Sequence, residues 1–361
     1  MSVWIDLADR AILPDRLIRL GIRYLDRKRL IEENRGDAQW RRQSKKKFIQ
    51  LLRQSPIAIQ IRKANQQHYE LPPQYFEKVL GPHLKYSGSY WPRGCRSLAE
   101  AEEAMLGFYC ERAELKDGIQ ILELGCGWGS LSLWMAEKYP HSKIVSVSNS
   151  HSQRKFIESQ IRQRGLQNLT IITADMNDFH TDQRFDRVVS IEMFEHMRNW
   201  QQLLRNISHW LNPEGKLFVH VFSHKQFAYP FEISGDSNWM GQHFFSGGMM
   251  PSDDLIMYFQ DDLRVEAHWK IDGRHYQKTA EAWLQNLDTH REEILPIMRS
   301  VYGVDMAEVW LQRWRIFFMA CAELWGFDQG REWLISHYRL CKRYQEKSEY
   351  SINLENDQRS K

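Results

Sequence analysis

The segment Ile119-Gln120-Ile121-Leu122-Glu123-Leu124 runs directly into Gly125-Cys126-Gly127-Trp128-Gly129. Few patterns constrain a chain more. A short run dominated by large aliphatics and stopped by glycine reads as a buried strand. Glycines at alternate positions let the backbone turn sharply and approach a ligand closely. A helix over 131–138 then opens at the turn, and the alternation continues. Strands are expected over 143–148, 169–173, 185–191 and 216–222, and helices over 151–164 and 200–211, with a turn at Asn212-Pro213-Glu214-Gly215. Strands alternating with helices imply α/β architecture with a doubly wound, mostly parallel sheet. Right-handed crossovers then place the glycine turn at the ligand crevice, beyond the carboxyl ends of the strands.

The rest of the chain is arranged around this core. Residues 1–66 read as a helical arm, because Leu17, Ile18, Leu20, Ile22 and Leu25 recur at helical spacing between arginines. The first 55 residues hold 14 Lys and Arg against 7 Asp and Glu, whereas the whole chain carries only +3. That total is too mild for a nucleic-acid partner, and a basic helix face is usually a solvated one. Residues 67–222 form the core, and 223–345 a cover that completes the sheet and includes a long helix over 307–324. Residues 346–361 are a polar tail. The 14 Trp and 17 Phe suit either plain core or an aromatic-lined pocket. Five widely spaced cysteines without a CxxC argue against a disulfide frame and against a metal site. The chain lacks a signal-peptide pattern at its start and any run of about 18 apolar residues, so the expected setting is cytoplasmic with no transmembrane segment.

Three clusters carry chemistry. In the first, Glu123 precedes Gly125 and Gly127, where an acid can bind loop N–H groups and offset the amino group of an amino-acid ligand. In the second, Ser148, Asn149 and Gln153 follow the second strand. No acid stands there to hold ribose hydroxyls, so Asn149 and Gln153 would have to do it, although a helix N-cap explains the same residues. Past the third strand, Asp175 can accept from an exocyclic amine, and Met176 can pack on a ring. The third cluster is Ile191-Glu192-Met193-Phe194-Glu195-His196-Met197. A helix start enriched in acids would explain one of its carboxylates. The whole Glu/Glu/His group at the crevice points instead to acid–base work.

These segments, with HYELPPQYF, YSGSYW, EAEEAMLGFYCERAEL, SHKQFAY and YFQDD, resemble the cyclopropane-fatty-acid-synthase superfamily of methyltransferases. Within it, the chain is most similar to the branch of coclaurine, tetrahydroprotoberberine and pavine N-methyltransferases. The resemblance implies a Rossmann-like class I methyltransferase fold and S-adenosylmethionine as cofactor, released as S-adenosylhomocysteine. It implies that Tyr86, Ser87, Gly125 and Gly127 contact the methionine part and that Ser148, Asn149 and Gln153 hold the ribose. Asp175 and Met176 would hold adenine, with Ile191 beside the cofactor and Tyr69 closing its pocket. Glu192, Glu195 and His196 would hold and deprotonate a substrate amine, and Trp314 and Phe317 would wall its aromatic body.

The departures within the superfamily are informative. Cyclopropane-forming relatives keep a Cys where this chain has Gly88, a Tyr where it has Phe317 and usually a Gly where it has Glu192. His220, in contrast, stands where those relatives keep their His, and the resemblance implies a place for it among the substrate-binding residues. The expected activity is N-methylation of a small amine, of tetrahydroisoquinoline type, with a homodimer compatible. The rival is a lipid-acting cyclopropane synthase or acyl methyltransferase whose basic arm touches an anionic membrane.

Overall fold

The computed structural model describes residues 3–59, 71–231, 239–245 and 247–343. An arm of α1 (Val3–Asp9), α2 (Asp15–Glu33) and α3 (Ala38–Gln54) precedes α4 (Pro73–Val79) and α5 (Leu98–Arg112). The core then runs β1 (Gln120–Leu124), α6 (Ser130–Lys138), β2 (Lys143–Ser148), α7 (His151–Arg164), β3 (Leu169–Thr173), β4 (Phe185–Ile191), α8 (Trp200–Trp210) and β5 (Leu211–His224). After an irregular stretch come β6 (Leu263–Ile271), α9 (Gly273–Thr289), α10 (Arg291–Tyr302), α11 (Ala307–Gly326) and β7 (Trp333–Lys342).

The seven strands form one sheet ordered β3-β2-β1-β4-β5-β7-β6. The first five are parallel, and β7 inserts antiparallel between β5 and β6. The chain builds outward from β1 to β3 and then returns to β4 on the other side. This makes a topological switch point between β1 and β4, where such sheets bind ligands. Alternation along β1 sorts its side chains. Ile121 joins a core cluster with α5, α6 and α11, and Leu122 and Leu124 join a second with α8 and α3.

The expected core elements are present within a residue or two at their ends, except that the strand expected over 216–222 already begins at Leu211. The turn expected at 212–215 lies inside β5, where it loops out opposite Asp186 between the register pairs Phe185–Leu211 and Arg187–Lys216. Asn212 Nδ2 donates to Asp186 Oδ1 at 2.8 Å across that bulge.

The arm is fastened by charge as well as by packing. Arg19 of α2 donates to both oxygens of Glu281 on α9 (2.6 and 2.8 Å) and to Glu323 on α11 (2.9 Å), and Arg23 adds a bond to Glu323 at 2.7 Å. Ile18 faces the core, while Leu17, Leu20 and Tyr24 are exposed.

Candidate active site

At the switch point β1 ends in Gly125, whose φ of +81° few other residues adopt. A Cβ there would come within 2.9 Å of the Met193 side chain. Gly127, at φ +52°, has open space where its Cβ would stand. The gap belongs to an open cavity lined by Gly125, Gly127, Ser148, Asn149, Gln153, Asp175, Met176, Glu192 and His196. Residues of all three clusters marked in the sequence therefore converge on one site, although Glu123 and Glu195 are not among those that line it. Ala58, Ile59 and Gly247 also line it, so the segment just after the arm and the cover loop both reach the opening.

The cavity wall has polar capacity left over. Ser148 Oγ donates to Gln153 Oε1 at 2.7 Å and accepts from the Ser150 N–H at 3.0 Å. These bonds fix the Gln153 amide, and its buried Nε2 is left without a partner. An orphaned buried donor costs about 1–3 kcal/mol unless a ligand meets it. Asp175 Oδ1 caps the Asn177 N–H at 2.8 Å, which holds its carboxylate at the edge of the cavity. The open glycine cradle, the free amide donor and the carboxylate fit a nucleoside joined to an amino acid, as S-adenosylmethionine is.

Several expected residues lie elsewhere. Glu123 does not bind the loop N–H groups. Strand alternation turns it toward α6, where it accepts from the hydroxyls of Ser132 and Ser146, the latter at 3.0 Å, and burial raises its carboxyl to about 7. Ser87 is buried and accepts from Lys85 Nζ at 2.6 Å. Tyr86 packs between Phe76 and Trp283, with ring centroids 5.5 and 5.6 Å away, and Ile191 packs into the core; none of these lines the cavity. Trp314 and Phe317 do not wall it either. They close on Phe244, which stacks on Phe317 at 4.5 Å and meets Trp314 edge-on at 5.0 Å, as apolar rings that bury one another do. Tyr69 lies outside the described residues.

The acid–base cluster follows β4 directly. Glu192 sits at φ +45°, a conformation a non-glycine residue adopts at a cost of about 1–2 kcal/mol. Its backbone N–H donates to the His220 carbonyl at 2.9 Å. Its Oε1 accepts from the Gly88 N–H at 2.9 Å and lies 3.0 Å from His220 Nε2, and its Oε2 accepts from the Tyr276 hydroxyl at 2.8 Å. Burial raises the Glu192 carboxyl, while Lys85, the Gly88 N–H and Tyr276 oppose that rise. Three residues on, Glu195 is 1% exposed and neither of its oxygens has a hydrogen-bond partner. Burial, and then the neighbouring Glu192, push its carboxyl well above the ordinary value. His196 lines the cavity with its ring stacked on Phe245 at 4.7 Å, and burial lowers it to about 4 against the pull of Glu192. Of the two acids, Glu192 has all the donors, so a negative charge is better stabilised on Glu192 than on Glu195.

Sequence reasoning missed two members of this cluster. Tyr276, on α9, supplies the phenol that Phe317 does not. Lys85 is 2% exposed and bonds Ser87 Oγ and the Gly88 carbonyl (2.5 Å), and burial lowers its ammonium to about 7 against Glu192 and Glu102. Its place directly before YSGSYW was the available signal. Gly88 leaves no room for a side chain: a Cβ would lie 2.7 Å from Ile335 and 3.0 Å from the Tyr276 ring.

Comparison with known proteins agrees with this geometry. Residues 58–331 match the mycolic acid cyclopropane synthetase family. The (S)-coclaurine N-methyltransferase of Thalictrum flavum subsp. glaucum is 39% identical over 296 residues, 81% of this chain and 82% of the relative. The cyclopropane-fatty-acyl-phospholipid synthase of Escherichia coli (strain K12) is 33% identical over 221 residues, 61% of this chain and 55% of that protein. The crystal structure of coclaurine N-methyltransferase bound to N-methylheliamine and SAH superposes with a TM-score of 0.90 at 34% identity, covering 94% of this chain and 99% of that one. The chain thus belongs to the mycolic acid cyclopropane synthetase family, and it is an S-adenosylmethionine-dependent N-methyltransferase of that family.

Proposed function

We propose that the enzyme methylates the nitrogen of a small cyclic amine of tetrahydroisoquinoline type. One observation carries this. Glu192, clasped by three donors, lies beside Glu195, a buried acid with no partner at all, and together they ask for a cation. Trp314, Phe317 and Phe244 provide the ring faces against which a flat, positively charged body can lie once they part.

S-adenosylmethionine, when bound, supplies an electrophilic methyl group on a sulfonium. Gly125, Gly127, Asn149, Gln153, Asp175 and Met176 would hold it. A secondary amine arrives mostly protonated and cannot attack until it loses that proton. Glu192 receives the ammonium and orients it. Entry of the cation favours loss of the Glu195 proton to solvent through the cavity mouth, and the resulting carboxylate, of raised proton affinity, takes the N–H proton from the amine. His196, kept neutral by burial, stands at the cavity wall beside this transfer. A positioned base is worth about 10²–10⁴ in rate. A lipid-acting reading is disfavoured by Gly88, whose surroundings have no space for the Cys that cyclopropane-forming relatives carry.

A cytoplasmic setting and a homodimer complete the proposal, the second checked by light scattering of the purified chain. No described helix is long and apolar enough to cross a membrane. The deciding experiment offers S-adenosylmethionine with a panel of cyclic secondary and tertiary amines, and separately with unsaturated phospholipid vesicles. Methylated amine and inert lipid are expected. Modified lipid with inert amines would overturn the proposal, as would full turnover by Glu192→Gln.

A further inference from the structure

Behind Glu192 the hydrogen bonds continue inward. His220 Nδ1 lies 2.9 Å from His337 Nε2, and His337 Nδ1 lies 2.7 Å from Arg112 Nη1. The two imidazoles are register partners on β5 and β7, and both are wholly buried. Arg112 ends α5 with its guanidinium over the rings of Phe108 (4.5 Å) and Trp269 (5.2 Å). Among the described residues, no carboxylate forms an ion pair with it.

The chemistry of the guanidinium decides the rest. It has donors only, so His337 Nδ1 must accept. The His337 proton then resides on Nε2 and points at His220 Nδ1, which must also accept. The His220 proton is thereby placed on Nε2, facing Glu192 Oε1. The opposite pair of tautomers would set His337 Nδ1–H against an arginine N–H. It would also aim a lone pair of His220 at Glu192, which only a protonated Glu192 could satisfy. The Tyr109 hydroxyl, 2.9 Å from His220 Nδ1, can donate to or accept from that nitrogen and therefore fits either tautomer. Burial lowers both imidazoles well below the ordinary value, and the Lys85 and Arg112 cations push the same way, so both rings are neutral as this requires.

We infer that Arg112 and His337 are positioning residues for methyl transfer, which lock His220 as an Nε2–H donor and so keep Glu192 an ionised acceptor for a cationic amine. The inference rests on the proposed role of Glu192. The other groups facing that carboxylate are Lys85, from the loop after α4, Tyr109 of α5, Tyr276 of α9, Cys321 of α11, and Glu195 and His196 of its own segment. None of them fixes the His220 tautomer. Arg112 and His337 act through His220 and do not line the cavity.

The test is the pH profile of kcat/KM for tetrahydroisoquinoline in wild type, Arg112→Met, His337→Leu and His337→Gln, with S-adenosylhomocysteine affinity measured alongside. Glu192 must be ionised to receive the ammonium, so its protonation forms a step of the acid limb beside that of Glu195, and loss of a buried donor moves the Glu192 step upward. Arg112→Met and His337→Leu should shift it up by about one to two pH units, with cofactor affinity unchanged. His337→Gln keeps an N–H toward His220 and should lie nearer to wild type. A loss uniform across pH, or an unmoved acid limb in folded variants, overturns the inference. If His337→Leu does not fold, Arg112→Met against Arg112→Lys decides alone, and an unshifted Arg112→Met profile is the refuting result. Glu192→Gln separates the two layers. If it turns over normally, the role of Glu192 fails. If it is inactive while Arg112→Met keeps the wild-type limb, only the positioning role fails.

Discussion

Replacing Glu195 with Leu should make the ligand-free protein more stable and the enzyme nearly inactive. The two side chains are similar in size, so little packing is disturbed. What changes is a carboxyl group that is 1% exposed with both oxygens unpartnered. Leaving a buried polar group unsatisfied costs about 1–3 kcal/mol. With an unfolding entropy of about 2.1 cal/mol/K per residue, a 361-residue chain has about 0.76 kcal/mol/K at its midpoint, so relief of that cost raises Tm by about 1–4 °C. The sign of the pH dependence sharpens the test. Burial holds the folded pKa of Glu195 well above the ordinary 4.5. Between those values the native state keeps a proton that the unfolded chain releases, so wild-type stability falls as pH rises through that window. The Leu variant has no such group, and its advantage should therefore widen from pH 4.5 upward until the folded carboxyl itself ionises. Calorimetry of both proteins at several pH values, without cofactor, measures this, and a turnover assay should show a loss of about 10²–10⁴. A variant that melts lower than wild type at every pH, or a gap that stays constant with pH, would refute the picture of Glu195 as an uncompensated acid.

Three further outcomes follow from the geometry. Gly88→Cys forces a Cβ to within 2.7 Å of Ile335 and 3.0 Å of the Tyr276 ring, so it should pull Tyr276 from Glu192 and lower kcat with S-adenosylhomocysteine affinity retained, at about 1–3 kcal/mol in stability by denaturant unfolding. Gln153→Leu removes the free Nε2 donor at the cavity and should weaken S-adenosylhomocysteine binding about 3- to 10-fold by titration calorimetry, with amine selectivity unchanged. Burial alone would raise the Asp253 carboxyl, but bonds from His268, Lys270 and Ser336 outweigh it and hold it at about 2, below the ordinary 3.8. Its stabilisation is therefore complete above 3.8 and lost as pH falls toward 2, and Asp253→Asn should flatten the loss of urea resistance across that range.

How much of this was legible in the sequence depends on how far apart the partners lie along the chain. The strand, glycine turn and helix from Gln120 to Lys138 are local, and so are the strand ends that present Ser148, Asp175 and Glu192; periodicity and turn chemistry place them all on one edge. Glu123 was legible as part of a motif, yet its partner was not. Strand alternation sends it to Ser132 and Ser146 rather than to the loop beside it in sequence. The groups that control Glu192 were not legible. His337 meets His220 only because β7 inserts antiparallel beside β5, across 117 residues, and Arg112 and Tyr276 arrive from two helices far apart along the chain. Trp314 and Phe317 were recognised as an aromatic pair, but packing against Phe244 took them out of the cavity wall.

Glu192 brings the energetic terms of the site into direct competition, and Glu192→Gly resolves which dominates. The native residue sits at φ +45°, where glycine would relieve about 1–2 kcal/mol of strain. The same change deletes a carboxylate that accepts from the Gly88 N–H, the His220 imidazole and the Tyr276 hydroxyl, leaving three buried donors unmatched at about 1–3 kcal/mol each. The donors outweigh the strain, so the glycine variant should melt below wild type despite its more comfortable backbone. The hole it leaves is the size of a carboxylate and lined with donors preset to receive one. Added formate should fill it, raising the Tm of Glu192→Gly in a saturable, concentration-dependent way while leaving wild type unmoved. Amine turnover should recover in part over the same formate range, because the restored charge is free of the chain but held by the same donors. If formate stabilises both proteins equally, or neither, the three donors are not organised around a negative charge, and the assignment of Glu192 as the ammonium acceptor goes with them.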